Sequence, residues 1–171
     1  MTATAPTAPT APTAVTPAGS DRHRLVLVAS GGGHLGQLMP LRPWWSRHDR
    51  TWVTFDTPTA SQLGDDPVVF AHHPTTRNLA NLLRNLVLAW RVLRRERPDA
   101  VVSTGAGVAV PFFLVARLLG IRTVFIEVYD RIDSRSLTGR LCLPLSDLFL
   151  VQWERQRELY GRGTVIGGLY P

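Results

Sequence analysis

Leu25-Val-Leu-Val-Ala-Ser-Gly-Gly-Gly-His-Leu-Gly-Gln-Leu-Met39 is the stretch that decides the fold. Apolar and small residues run up to Ser30, three glycines and His34 follow, and an apolar helical pattern begins at Leu35. Such a run fits a strand buried on both faces, and the glycines fit a side-chain-free turn into a helix. A turn of that kind lets a diphosphate approach the main chain, while the first helical amides add donors and a positive dipole end. Ser30, Gly31, Gly32 and Gly33 are therefore candidate phosphate contacts, and His34 stands where chemistry on a phosphate-bearing ligand would occur. Three readings of the loop are open. Gly31, Gly33 and Gly36 satisfy the dinucleotide fingerprint G-x-G-x-x-G, with Asp56 placed where a ribose-binding carboxylate would sit. A sugar-nucleotide or lipid-diphosphate loop would instead use His34 as acid, base or phosphate donor. A turn made only for packing needs no ligand.

The same alternation continues outward from this stretch. Strands are expected at 25–30, 51–55, 67–70, 100–103, 122–127, 147–151 and 164–166, with helices at 35–45, 76–97, 108–120, 137–145 and 154–160. Pro40 and Pro43 shorten or bend the first helix, and Pro98 stops the long one. Continuous apolar strands alternating with helices imply a doubly wound, mostly parallel, Rossmann-like α/β sheet covered on both faces. Ligands in such sheets bind beyond the carboxyl ends of the strands. Three strand ends carry suggestive residues: Ser30 to His34, Ser103-Thr-Gly-Ala-Gly107, and Glu127. Gly105, Ala106 and Gly107 read as a second wall facing the first glycine loop, or as close helix–sheet packing.

Composition narrows the class. Residues 1–22 form a Pro/Thr/Ala-rich tail expected to be disordered, without the basic start and apolar centre of a signal peptide, and 23–171 form one domain. The net charge is +6, and all 19 basic residues are arginine. That balance points to an anionic partner, a membrane surface or nucleic acid. Cys142 is the only cysteine and sits among apolar residues, so it is neither a disulfide partner within the chain nor a strong candidate nucleophile. No apolar run reaches the roughly 18–20 residues that span a bilayer.

Taken together, Ser30-Gly-Gly-Gly-His34, Ser103-Thr-Gly-Ala-Gly-Val-Ala-Val-Pro111, Glu127, Ser136-Leu-Thr-Gly-Arg140 and Asp147-Leu-Phe-Leu-Val-Gln-Trp153 resemble the N-terminal half of a split GT-B glycosyltransferase. Relatives of this kind are bacterial exopolysaccharide-synthesis subunits and the membrane-docking subunit of the dolichol-linked N-acetylglucosaminyltransferase. The resemblance implies a half-enzyme that binds a lipid-diphosphate-sugar acceptor and the membrane, while a separate donor-binding glycosyltransferase subunit holds a UDP-sugar. The last residues, Gly167 to Pro171, fall where a single-chain enzyme would continue into its donor domain. Carried over, Gly31 to His34 would meet the diphosphate and Gly105 to Gly107 would form the second wall. His34 would be general base for the acceptor hydroxyl or a diphosphate hydrogen-bond donor, since an imidazole can serve as either near neutral pH. Glu127 is the alternative base, or a carboxylate satisfied by loop amides. Gln37 stands where many relatives carry an acid, and Val128 where many carry a small hydroxyl residue. No cofactor and no metal is implied. A dehydrogenase would need a substrate-binding region for which no residues remain, which leaves NAD binding a minor alternative.

In 76–97, Leu79, Leu82, Leu83, Leu86 and Trp90 follow helical spacing as a core face would, while Arg84, Arg91, Arg94, Arg95 and Arg97 stand against Glu96. A basic amphipathic helix with tryptophan suits an anionic bilayer surface, so Trp90, Arg91, Arg94 and Arg95 are candidate membrane contacts. No aromatic–basic platform for nucleic acid appears. The expected function is the acceptor- and membrane-binding subunit of an inverting glycosyltransferase in polysaccharide biosynthesis, cytoplasmic and peripheral on the inner face of the cell membrane. A non-catalytic adaptor recruiting the donor subunit is the competing class.

Overall fold

A computed structural model describes residues 22–170; the Pro/Thr/Ala tail lies almost wholly outside them. In chain order the elements are β1 (Arg24–Val28), α1 (Gly33–Leu38), α2 (Arg42–Trp45), β2 (Asp49–Thr54), β3 (Val68–Phe70), α3 (Leu79–Glu96), β4 (Ala100–Ser103), α4 (Ala109–Leu118), β5 (Arg122–Ile126), α5 (Leu137–Cys142), β6 (Leu148–Val151), α6 (Glu154–Tyr160) and β7 (Thr164–Val165). The seven strands form one sheet in the order β3-β2-β1-β4-β5-β6-β7, and every pair is parallel. This is the doubly wound α/β architecture that the apolar strands imply.

Alternation along β1 shows why the strand is apolar throughout. Val26 and Val28 enter the core shared with α3 and α4, while Leu25 and Leu27 enter a second core with Trp45, Trp52 and Leu35 on the opposite face. All four are buried. The order reverses between β1 and β4, neighbours in register from Leu25↔Ala100 to Val28↔Ser103. Their carboxyl ends open side by side at this switch point, the place where such sheets bind ligands.

Two expectations about the long helix change. It starts at Leu79 rather than Thr76, because Arg77 adopts a left-handed φ of 51° and Asn78 caps the first turn by accepting the Asn81 N–H at 2.9 Å. Of the stripe Leu79, Leu82, Leu83, Leu86 and Trp90, Leu86 packs against the core, but most of the stripe does not form the core face. Asn81, Asn85, Ala89, Val92 and Leu93 face inward, whereas Leu79, Leu83, Val87 and Trp90 are exposed, Leu79 at 69%. The inner amides explain the turn of the helix: Asn85 accepts from the His72 N–H (2.9 Å) and donates to the His72 carbonyl (2.8 Å), and Asn81 donates to the Pro74 carbonyl (3.0 Å). Polar groups on the inner face meet the backbone of the segment after β3, so Leu79, Leu83, Val87 and Trp90 point away from the sheet.

Candidate functional site

At the switch point the two glycine loops meet across β1 and β4. His34, in the first turn of α1, places Nδ1 3.0 Å from the Thr104 carbonyl, and the Thr104 hydroxyl donates to the His34 carbonyl at 2.6 Å. Gly105 lies beneath the imidazole with a φ of 113°; a Cβ there would stand 3.2 Å from His34 Cε1. Only glycine fits so close to the ring in that backbone conformation.

A cavity of about 1130 Å³ opens above this contact. Of the residues singled out from the sequence, Ser30, Gly33, His34, Ala106 and Gly107 are in its wall. Gly31, Gly32 and Gly105 are not in the wall. Gly31 packs on the hydroxyls of Thr57 and Thr59, the Gly32 N–H donates to Thr59 Oγ1 at 3.1 Å, and Gly105 is buried under the histidine. Part of the first loop is thus held by β2's following turn, a contact that glycine spacing alone does not reveal. The cavity also gathers Arg77, Asp130 and Arg131, which sequence reasoning passed over. Their one signal is position: Asp130 and Arg131 follow β5 at the carboxyl edge, where charged residues face ligands.

Glu127 does not line the cavity. It is fully buried at the end of β5, where its carboxylate accepts the Val128 N–H (3.0 Å), the Ser136 hydroxyl (3.0 Å) and the Tyr160 hydroxyl. Burial pushes its pKa above the ordinary value, and the hydrogen bonds from Tyr160, Val128 and Ser136 and the charge of His34 pull the other way. Gly139 leaves room for this cluster, since a Cβ would collide with the Glu127, Tyr160 and Ser136 oxygens. Ser136 also accepts the Gly139 N–H at 2.8 Å, capping α5. The carboxylate thus ties the 127–139 loop from behind, away from the cavity wall where a base was considered from sequence. Tyr160 is itself raised well above its usual value, by burial and by the Glu127 hydrogen bond. The Cys142 thiol, also buried, is pushed up to about 12. It stays protonated at neutral pH.

Three buried glutamines tie the same loop to its surroundings. Gln37 Oε1 accepts from the Tyr129 N–H (3.1 Å) and from Gln152 Nε2 (2.9 Å), and Gln156 Nε2 donates to the Val128 carbonyl (2.7 Å). Gln37, the departure noted in sequence, is an acceptor that joins the His34 helix to the loop after β5. Among the described residues no cluster of three metal-ligating side chains occurs.

Residues 71–169 match the family of oligosaccharide biosynthesis proteins described as Alg14 like. The chain belongs to that family. The human UDP-N-acetylglucosamine transferase subunit ALG14 is 33% identical over 91 residues, covering 50% of this chain and 42% of the human protein. The Candida albicans protein of that name is 24% identical over 168 residues, covering 84% of this chain and 77% of its own. The chain thus spans less than half the length of the mammalian relatives. Among solved structures, Acinetobacter baumannii MurG aligns with a TM-score of 0.70 at 19% identity, over 85% of this chain and 45% of MurG. The UDP-GlcNAc 2-epimerase of Neisseria meningitidis, bound to UDP-GlcNAc, aligns with a TM-score of 0.68 at 14% identity, over 85% and 47%. These two likenesses are of fold, and they agree with the expected Rossmann-like half. Thr104 to Gly107 and Glu127 of this Alg14-like chain fall inside the family stretch, and the His34 loop precedes it.

The α3 residues proposed from sequence all reach the surface. Trp90 is 44% exposed with Arg94 stacked 5.3 Å from its ring centre, and Arg91 and Arg95 are exposed, Arg95 beside Glu96 at 2.7 Å. No helix of the described residues is long and apolar enough to cross a membrane.

Proposed function

We propose that this Alg14-like chain is the acceptor- and membrane-binding subunit of a UDP-sugar-dependent inverting glycosyltransferase that extends a lipid-diphosphate-linked sugar in polysaccharide biosynthesis. One observation carries the reading: a single cavity is lined by two chemically different sets of side chains. His34, Arg77 and Arg131 are suited to a diphosphate. Leu79, Leu82, Val110, Leu137 and Leu141 add an apolar wall. Leu79 belongs both to that wall and to the exposed stripe of Leu83, Val87 and Trp90 on α3, which carries Arg84, Arg91 and Arg94 beside it. An amphipathic anionic lipid, its head group against His34, would match both sets, and α3 would rest on an anionic bilayer at the cytoplasmic face. Ser30, Gly33, Ala106 and Gly107 would approach the head group through backbone, with α4's first turn adding its dipole.

The relatives' designation as subunits supports a separate donor-binding chain. Exposed Tyr129, Trp153 and Tyr170 on the carboxyl side of the sheet offer an apolar, aromatic surface for it. The test is reconstitution with a donor-binding subunit, UDP-GlcNAc and a short polyprenyl-diphosphate sugar. Transfer is expected only with both chains present. Robust turnover by this chain alone, or none by the pair with any UDP-sugar, would overturn the reading.

A further inference from the structure

We infer that Thr104 is a positioning residue that fixes His34 in a single tautomer, leaving Nε2 as the atom that takes a proton. The argument starts from the 3.0 Å contact between His34 Nδ1 and the Thr104 carbonyl. A carbonyl oxygen only accepts, so the contact is a hydrogen bond when Nδ1 carries the hydrogen. A neutral imidazole holds one N–H, and with Nδ1 protonated its Nε2 is a bare lone pair. The neutral ring can then accept a proton or a hydrogen bond at Nε2 and cannot donate from it. The contact thus sets the neutral ring up as the general base, whereas serving as a hydrogen-bond donor to a diphosphate would require the imidazolium, which donates from both nitrogens.

The main chain is built to keep the carbonyl in place. β1 and β4 are adjacent, so residues 70 apart in sequence face one another. The Gly105 N–H donates to Ser103 Oγ at 3.0 Å, pinning the turn out of β4, and Ala106 follows in the left-handed region at φ 66°. The Thr104 hydroxyl closes a reciprocal bond to the His34 carbonyl at 2.6 Å, so each residue holds the other's main chain. Thr104 itself is 1% exposed. It cannot reach a ligand, and its influence must pass through the imidazole. The charged groups around the ring are Glu127 behind the loop after β5 and Arg77, Asp130 and Arg131 across the cavity.

This rests on the glycosyltransferase reading for its chemical consequence only. In that reaction Nε2 would take the proton of the acceptor hydroxyl as the hydroxyl oxygen bonds to the anomeric carbon. The bond from that carbon to the UDP oxygen breaks with its electron pair, and UDP leaves as the anion. His34 then returns the proton to solvent.

The experiment reads the tautomer directly. In the purified chain labelled with ¹⁵N-histidine, the imidazole couplings at alkaline pH should show His34 with hydrogen on Nδ1. Thr104→Val, which keeps the shape and removes the hydroxyl, should mix the two tautomers. In the assembled pair it should lower kcat on the order of tenfold to a hundredfold with acceptor KM little changed, the cost of a slightly misplaced group. Thr104→Ser should restore both. Hydrogen on Nε2 in the wild type, or wild-type tautomer and turnover in Thr104→Val, would overturn the inference. If the wild type shows the Nδ1–H form yet the pair transfers no sugar, the positioning stands and the glycosyltransferase reading falls.

Discussion

His34 and Glu127 sit at the carboxyl ends of strands in one sheet, and both are titratable residues that sequence alone offers as a base. Their surroundings separate them. His34 is half-buried, makes one ring contact to a fixed carbonyl, and faces a cavity with its other nitrogen's side of the site unfilled by protein donors. Glu127 is fully buried and spends its oxygens on Val128, Ser136 and Tyr160. A carboxylate with its lone pairs so committed organises a loop, whereas a base needs an atom left over. Adjacency to a ligand edge does not decide function; the count of remaining hydrogen-bonding capacity does.

The sharpest break between the two comes from deleting each side chain. His34→Ala should lower turnover of the assembled pair by about 100-fold or more, as for loss of a general base, while thermal stability stays near wild type. Glu127→Ala should do the reverse. It strands the Ser136 and Tyr160 hydroxyls and the Val128 N–H in a buried site, with a cost of about 1–3 kcal/mol, and activity should track the folded fraction. Calorimetry beside kinetics separates the outcomes. A His34→Ala pair with unchanged kinetics would leave the adaptor as the surviving function, and a stable but inactive Glu127→Ala would return the carboxylate to the chemistry.

The fold was legible because buried parallel strands are written as uninterrupted apolar runs, and Gly31 to Gly33 and Gly105 to Gly107 punctuate their ends. The wall residues Ser30, Gly33, His34, Ala106 and Gly107 followed from the same logic. What stayed illegible depends on partners far along the chain. Tyr160 lies 33 residues from Glu127 and Gln152 lies 115 from Gln37, so neither the carboxylate's commitment nor the glutamine link has a local signature. The face of α3 misled for another reason: helical spacing marks an apolar stripe but not which way it turns. Here Asn81 and Asn85 decide by capturing backbone groups of His72 and Pro74.

That exposed stripe supplies the next contrast, between a surface built to bind and one merely solvated. Near an anionic bilayer each basic residue contributes about 1 kcal/mol, screened over roughly 8–10 Å by physiological salt. Arg91→Glu, Arg94→Glu and Arg95→Glu together should therefore abolish co-sedimentation with anionic vesicles. All three side chains are exposed, so the fold should survive. Leu83→Ser with Val87→Ser should weaken binding at every salt concentration, because it removes burial rather than charge. Undiminished binding by the triple variant would make α3 an ordinary solvated face and send the lipid to another surface.

The smallest effect is a pH slope. Glu127 titrates above its ordinary value of 4.5 because burial disfavours the charged form more than its hydrogen bonds and His34 favour it. A raised carboxyl pKa means the folded chain holds this proton more tightly than the unfolded one. The stabilisation is fully present below the ordinary value and is lost as pH rises through the raised one. Glu127→Gln, neutral at every pH, should flatten that decline between acid and neutral pH. It should shift the midpoint itself little, since an amide fills the same space and the two hydroxyls can reorient toward it. Tm measured across that range in wild type and variant reads the difference. Because the charge of His34 also acts on the Glu127 carboxyl, the comparison belongs also in the His34→Ala background, where the same flattening should persist. Parallel Tm curves for wild type and Glu127→Gln would show that the buried carboxylate is as well satisfied charged as neutral, its hydrogen bonds offsetting its burial.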